Sequence, residues 1–275
     1  MKKYIILSVN SNIDYLYFVP LTCWAWRYFG WEPIVFYHGK KPNEGSRFID
    51  WFWDCQALQD NPIPGCFNIG QIEGYRSDTI TQISRLYGAC TIYSFQNDTY
   101  LMTGDIDMIP LSDYWKPDLS KVSVYGHDLT GFGHFPICYI GGTYHQWFEF
   151  MKLDSSDYNK LIKRDLDTLP QAKDPDFYKY WFVDQDLITS RLKEYGTEKV
   201  DFINRGQYSN GYAKGRVDRG AWSLNHETFI DAHLEQQTWQ NEEKIKRLFQ
   251  LLHTVWPKED FLWFAQYTKE FKKLA

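Results

Sequence analysis

Near its start the chain runs Tyr4-Ile5-Ile6-Leu7-Ser8-Val9 with hardly a polar break. A strand of that kind has no side to give to water, so it belongs in a parallel sheet covered on both faces. Such a sheet takes its cover from helices in the connections between strands, and the next residues supply one. Apolar and aromatic side chains from Leu16 to Phe29 recur at helical spacing, with Pro20 suited to the first turn and Gly30 to the stop. Pro33-Ile34-Val35-Phe36-Tyr37 then reads as a second strand, ending at His38-Gly39. The opening therefore predicts a strand–helix–strand unit.

The same pattern continues. A loop-rich aromatic stretch extends to Gly65, and Cys66 to Ile69 is a short third strand. Ser77-Asp78 caps a helix that runs through Ile80, Ile83 and Tyr87 to Gly88. Further strands are expected over Tyr100 to Ile109, Val122 to Gly126, Ile137 to Ile140 and Lys199 to Ile203. Helices are expected from Tyr144 to Met151, Tyr158 to Leu169 and Phe177 to Tyr195. Asn204 to Gly220 is glycine-rich and reads as a loop, and two amphipathic stretches, Glu242 to Val255 and Asp260 to Lys273, close the chain. Alternating strands and helices followed by a helical end predict an α/β fold, a mixed sheet flanked by helices with C-terminal helical additions. The expected division is a domain over 1–240 and a helical extension over 241–275 packed on it.

Composition excludes several classes. At 275 residues and 44% hydrophobic, the chain holds enough apolar material for one large core. It has no run of about 18 apolar residues, so no transmembrane segment is expected. The apolar stretch after Met1-Lys2-Lys3 is too short for a signal peptide, which predicts a cytoplasmic protein. Cys23, Cys55, Cys66, Cys90 and Cys138 are odd in number and scattered, so they read as buried free thiols. The net charge of −5, without a basic stripe, argues against nucleic acid as a partner. Aromatic residues make up 19% of the chain; much of this must be core, and such side chains also suit sites that stack sugars or bases.

The chemistry concentrates in Tyr100-Leu101-Met102-Thr103-Gly104-Asp105-Ile106-Asp107-Met108-Ile109-Pro110. Read as a buried strand, it brings Asp105 and Asp107 to one side, since residues i and i+2 of a strand share a face. Open α/β sheets place ligands at the carboxyl ends of their strands. Oxygen ligands favour Mg²⁺ or Mn²⁺, and such ions commonly bridge to phosphate, so the pair suits a metal–diphosphate. The competing reading is a solvated turn after a strand. Asp-x-Asp recurs at Asp165/Asp167, in a charged helix-like stretch, at Asp174/Asp176, which flanks Pro175, and at Asp184/Asp186. Of the four, Asp105/Asp107 alone has apolar runs on both sides.

A strand–helix–strand start, a capped helix bearing Arg85, and an apolar strand ending in Asp-x-Asp resemble the GT-A fold of nucleotide-sugar glycosyltransferases. Tyr139-Ile140-Gly141-Gly142-Thr143, Trp181-Phe182-Val183-Asp184-Gln185-Asp186-Leu187 and Ile230-Asp231-Ala232-His233-Leu234 with Trp239 add to the likeness, which covers roughly Lys3 to Trp239. Small bacterial or viral enzymes of this fold are the most similar.

The resemblance implies a site. Ser8, Val9 and Asn10 would line the pocket for base and ribose, with Arg76 or Arg85 near the diphosphate or base. Asp105 and Ile106 would flank the donor, and Gly141 and Gly142 would face the donor sugar or the acceptor. Asp105, Asp107 and His233 would hold Mn²⁺ or Mg²⁺. His233 is preferred to His226 because a carboxylate precedes it by two residues, and His127, beside Asp128, would belong near the acceptor. Asp184 or Asp186 would be the catalytic base of an inverting transfer. Two residues apart on a helix, they point in different directions, so at most one faces the site.

The expected activity is metal-dependent transfer of a sugar from a nucleotide-diphosphate donor to an acceptor hydroxyl, on a glycan or another molecule. Alternatives are a haloacid-dehalogenase-like phosphatase, which normally carries Asp-x-Asp on its first strand, and a sugar nucleotidyltransferase, which expects a glycine-rich loop where Ser8-Val9-Asn10-Ser11-Asn12 stands. A non-catalytic sugar-binding protein would explain the aromatics and leave Asp105 and Asp107 without a role.

Overall fold

The structure, a computed structural model, describes residues 1–39, 47–60, 65–91, 99–129, 133–174, 180–209 and 211–275. Strand β1 (Lys2–Asn10) is followed by a single helical turn, α1 (Ile13–Leu16), then α2 (Val19–Tyr28) with Pro20 in its first turn, and β2 (Glu32–His38). Helices α3 (Arg47–Asp54) and α4 (Gln56–Asp60) lead to β3 (Gly65–Asn68). Helix α5 (Ser77–Ser84) passes into a 3₁₀ turn, Arg85–Thr91. Strands β4 (Thr99–Thr103), β5 (Met108–Pro110), β6 (Val122–Tyr125) and β7 (Ile140–Thr143) follow. Then come helices α6 (Tyr144–Met151), α7 (Tyr158–Asp167) and α8 (Val183–Tyr195) and strand β8 (Val200–Ile203). Short strands β9 (Arg216–Asp218) and β10 (Asp231–His233) precede the closing helices α9 (Glu242–Val255) and α10 (Leu262–Leu274).

The main sheet has seven strands in the order β3-β2-β1-β4-β7-β6-β8, compatible with a Rossmann-like arrangement. β1 pairs in parallel with both β2 and β4, while β7 runs antiparallel to its neighbours β4 and β6. From β1 the chain first builds outward through β2 and β3, then returns to add β4 on the other side. That reversal opens a crevice beyond the carboxyl ends of β1 and β4. The pleat of β1 divides the core: Ile5, Leu7 and Val9 pack with α2, α9 and α10 on one face, and Ile6 packs with α5, α6 and α8 on the other. Both faces are dry, as the unbroken apolar run requires.

A second sheet, β5-β10-β9, stands beside the first. β10 runs antiparallel to β5 and parallel to β9, in a register that sets His233 opposite Met108 on one side and Asp218 on the other.

The structure corrects several expectations. Tyr100 to Ile109 is two strands rather than one. After Thr103 the chain leaves the main sheet, turns through Asp105–Asp107, and re-enters the small sheet at Met108. Gly104 sits so close over β1 that a Cβ there would lie 3.0 Å from Ile5 and 3.2 Å from Leu7. Arg47 to Asp60, read as loop, is helical, because Phe48 and Phe52 stack one turn apart at 6.4 Å. Ile137 to Tyr139 stays outside the sheet because the Thr103 hydroxyl donates to the Ile137 carbonyl and accepts from the Ile140 amide (3.1 Å), which starts the strand at Ile140. Helix α5 has Arg76 at its N-cap, with no side-chain cap, so Ser77-Asp78 lies inside the helix. The glycine-rich segment after Asn204 contains β9. The predicted helix start at Phe177, like Asp176, lies outside the described residues. Cys66 is exposed and Cys138 half-buried, although all five cysteines are free thiols as expected. Among the described residues no helix is long and apolar enough to cross a membrane.

Candidate active site

A cavity of about 870 Å³ lies in the crevice beyond β1 and β4. Its floor is the turn carrying Asp105, Ile106 and Asp107. Three backbone anchors fix that turn: Gly104 N–H to Ile6 O (2.9 Å), the Thr22 hydroxyl to Ile106 O (2.7 Å), and Leu234 N–H to Asp107 O (2.8 Å). Elements from both sheets and from α2 thus hold one short stretch of chain, and the two carboxylates are presented by a turn rather than by strand alternation.

The two aspartates have different partners. Asp105 forms a short ion pair with Arg85 Nη1, which also donates to Gly104 O (3.1 Å). Arg85 Nη2 reaches Asp184 Oδ2 at 2.9 Å, so one buried guanidinium ties the turn to the start of α8. Asp107 faces the small sheet. Its Oδ2 lies 3.4 Å from His233 Nε2 and 3.1 Å from Arg219 Nη1. On the far side of the ring, His233 Nδ1 is 3.6 Å from Asp218 Oδ2. That contact follows from register, because Asp218 and His233 are partners across β9 and β10.

Burial and pairing act against each other here. Burial raises the pKa of Asp107, but the hydrogen bond and charge of His233, with Arg219, outweigh it and the net shift is downward. Burial lowers that of His233, and its bonds to Asp107 and Asp218 reverse the sign, so the imidazole is raised. Asp184 is 2% exposed and shifts upward, because burial outweighs the nearby Arg85. Beneath the site Asp231 is fully buried between Arg205 (2.8 Å) and Arg216 (2.9 Å) and, despite burial, lies well below the carboxylate range.

Of the residues expected at the site, Ser8, Val9, Asn10, Arg85, Asp105, Ile106, Asp107, Asp184 and His233 all line the cavity. Asn10 also shapes the turn after β1, accepting from Asn12 N–H at 3.0 Å. Four others do not reach it. Arg76 bonds Asp78 and lies over the Tyr180 ring at 4.2 Å. Gly141 and Gly142 lie within β7, where a Cβ on Gly141 would come 2.3 Å from the Tyr100 hydroxyl oxygen, so that glycine makes room for an aromatic. Asp186 turns away to His134 Nδ1 (2.7 Å) and Gln171 Nε2 (2.9 Å). His226 stacks on Tyr208, and His127 packs against Phe135 and Phe202, both outside the cavity wall. Sequence reasoning missed Tyr15, Asp218, Arg219 and Gln236. Asp218 ends and Arg219 follows a strand hidden in a glycine-rich segment, with no periodicity to mark them.

No protein-family model matches the chain, and no curated protein matches it.

The donor set at Asp107 and His233, one carboxylate and one imidazole converging on a shared space, fits a divalent cation such as Mn²⁺. A carboxylate on the remote ring nitrogen of a histidine is the usual support for a metal ligand, and Asp218 occupies that position. Among the described residues no group of three or more such side chains gathers as a ready cage, because Asp105 is turned onto Arg85. The cavity wall carries four carboxylates, Asp78, Asp105, Asp107 and Asp184, against two guanidiniums, Arg85 and Arg219.

Proposed function

We propose that the chain is a metal-dependent glycosyltransferase of the GT-A type, moving a sugar from a nucleotide-diphosphate donor to an acceptor hydroxyl. The observation that carries this reading is the convergence of Asp107 and His233 at the floor of the β1/β4 crevice, with Asp218 behind the imidazole. The excess of carboxylates in the wall supports it: an anionic diphosphate enters such a cleft favourably only with a cation at its side. Asp107 and His233 would hold Mn²⁺ or Mg²⁺, which offsets charge growing on the leaving diphosphate as a Lewis acid.

The chain's own residues then divide the work. Ser8, Val9 and Asn10, at the carboxyl end of β1 and on the cavity wall, would form the edge for the nucleoside. Trp181 and Gln185 line the opposite wall and would meet the sugar, the tryptophan offering a flat apolar face. Asp184 has both oxygens engaged, by Arg85 Nη2 (2.9 Å) and by Gln185 N–H (2.8 Å). It therefore acts as a positioning residue, holding Arg85 so that Arg85 holds Asp105. A phosphatase using Asp105 as nucleophile is disfavoured, since that carboxylate is held by Arg85.

The test is release of free nucleoside diphosphate from a panel of sugar nucleotides with Mn²⁺, for the wild type and for Asp107→Ala. The expected result is turnover that EDTA or Asp107→Ala abolishes while the melting temperature stays within a few degrees. Full activity in either condition overturns the metal assignment. Phosphate release from a simple phosphomonoester, with no turnover of any sugar nucleotide, overturns the glycosyltransferase reading.

A further inference from the structure

Three positively chargeable side chains line the cavity among the described residues: Arg85, Arg219 and His233. Arg85 is largely committed within the protein, and the Nε–H for which no hydrogen bond is found is buried. Its terminal nitrogens are taken by Asp105, Gly104 O and Asp184, and its side chain is 7% exposed. Arg219 differs on each count. Its side chain is 38% exposed, and it projects from the end of β9 at the mouth of the cleft. Its contacts in the cleft are Asp107 Oδ2 at 3.1 Å and the hydroxyl of Tyr15, itself held by Gln236 (2.7 Å).

Resting on the glycosyltransferase reading, we propose that Arg219 is the side chain that binds the donor's diphosphate, and that it shares Asp107 with the divalent cation in competition. Arg219 Nη1 and His233 Nε2 meet the same oxygen of Asp107. A cation seated on Asp107 and His233 repels a guanidinium 3.1 Å from that oxygen and offers it nothing in return. The phosphate oxygens that accompany the cation do offer something: a planar guanidinium matches two of them with parallel, charge-assisted hydrogen bonds. The exposed stem of Arg219 needs only a side-chain rotation to exchange one anion for the other. Position 218 turns to the imidazole while 219 turns to Asp107, so the end of β9 serves both halves of the cation–diphosphate site.

The experiment measures binding, independent of turnover. Wild type, Arg219→Gln and Arg219→Lys are titrated calorimetrically with UDP, GDP, ADP and CDP in the presence of Mn²⁺, and with the corresponding nucleosides. Mn²⁺ alone is titrated by electron paramagnetic resonance. Arg219→Gln is expected to weaken the diphosphate that the wild type binds by roughly 10- to 100-fold, as for loss of charged hydrogen bonds. It should leave the matching nucleoside unchanged and bind Mn²⁺ alone at least as tightly as the wild type. Arg219→Lys, a point charge without the fork, should recover part of the loss. If Arg219→Gln binds the diphosphate like the wild type, or loses nucleoside and diphosphate alike, the assignment is overturned while the glycosyltransferase reading survives. Weaker binding of Mn²⁺ alone by Arg219→Gln overturns the competition. If the wild type binds none of the four diphosphates with Mn²⁺, the glycosyltransferase reading fails and the assignment fails with it.

Discussion

Both oxygens of Asp184 are engaged within the protein, by Arg85 and by the Gln185 amide, which ties the carboxylate down even though burial raises its proton affinity, whereas Asp186 faces a different wall. Asp184→Asn keeps the shape and removes the charge that fixes Arg85. It should lower turnover by roughly 10–100-fold, the usual consequence of losing a supporting residue one shell out. Loss of a general base often exceeds that, at about 10²–10⁴-fold. A loss beyond about 10³-fold with metal and nucleotide affinity intact would return the base to Asp184. Asp186→Asn should leave kcat near wild type. The two histidines separate in the same manner: His233→Ala should raise the Mn²⁺ requirement by roughly 10–100-fold, and His226→Ala, stacked on Tyr208 away from the cleft, should not. Equal effects in a Mn²⁺ titration would sink that assignment. Asp107, Asp184 and His233 were legible because each borders an apolar strand or helix start. Arg219 and Asp218 were not, because Arg219 meets Asp107 across 112 positions of sequence and no local spacing encodes that contact.

Elements decide which glycines matter and why. Gly141 read as a sugar contact, yet it sits in β7 against Tyr100. Gly141→Ala should therefore destabilise the fold by about 1–3 kcal/mol, as overpacking does, with donor KM unchanged in the folded fraction. A raised KM at full stability would restore a ligand role. The small sheet depends on Asp231, buried between Arg205 and Arg216 on adjoining segments. Asp231→Asn leaves two guanidiniums without their carboxylate and should cost about 3–5 kcal/mol in urea unfolding. Its pH dependence has a definite sign. The folded Asp231 pKa is depressed below the ordinary value near 4, so its contribution is full above that value and is lost as pH falls through the folded one. The stability gap between wild type and Asp231→Asn should be flat from about pH 8 to 5 and narrow in stronger acid; a gap that widens below pH 4 contradicts the pairing. Long elements such as α6 and α9 were readable from period alone, at the bounds now observed. Three-residue strands were not, since β5, β9 and β10 exist only through pairing with segments far along the chain.

On the scale of the molecule, the C-terminal helices are part of the core that holds the Asp105–Asp107 turn. Leu251, Leu252, Phe264, Tyr267 and Phe271 are all at most 2% exposed and pack with Leu7, Tyr17 and Trp26. Tyr267 stacks on Trp51 and on Tyr17 at 6.0 Å in each case, and the Tyr17 hydroxyl bonds Thr268 at 2.9 Å. Much of the aromatic content is used here, in core, as its abundance in the sequence implies. Tyr17 stands two residues before the helix that carries Thr22, whose hydroxyl anchors Ile106 between the two aspartates. Each fully buried side chain of this size contributes about 1.5–3 kcal/mol, so five together rival the roughly 5–15 kcal/mol net stability of a whole domain. A chain ending at residue 240 should consequently not survive as a trimmed domain. It should lose cooperative unfolding, bind a hydrophobic dye, and bind no nucleoside diphosphate. A truncated chain that melts sharply and still binds Mn²⁺ would show that residues 1–240 form a domain on their own and that the last two helices merely cover it.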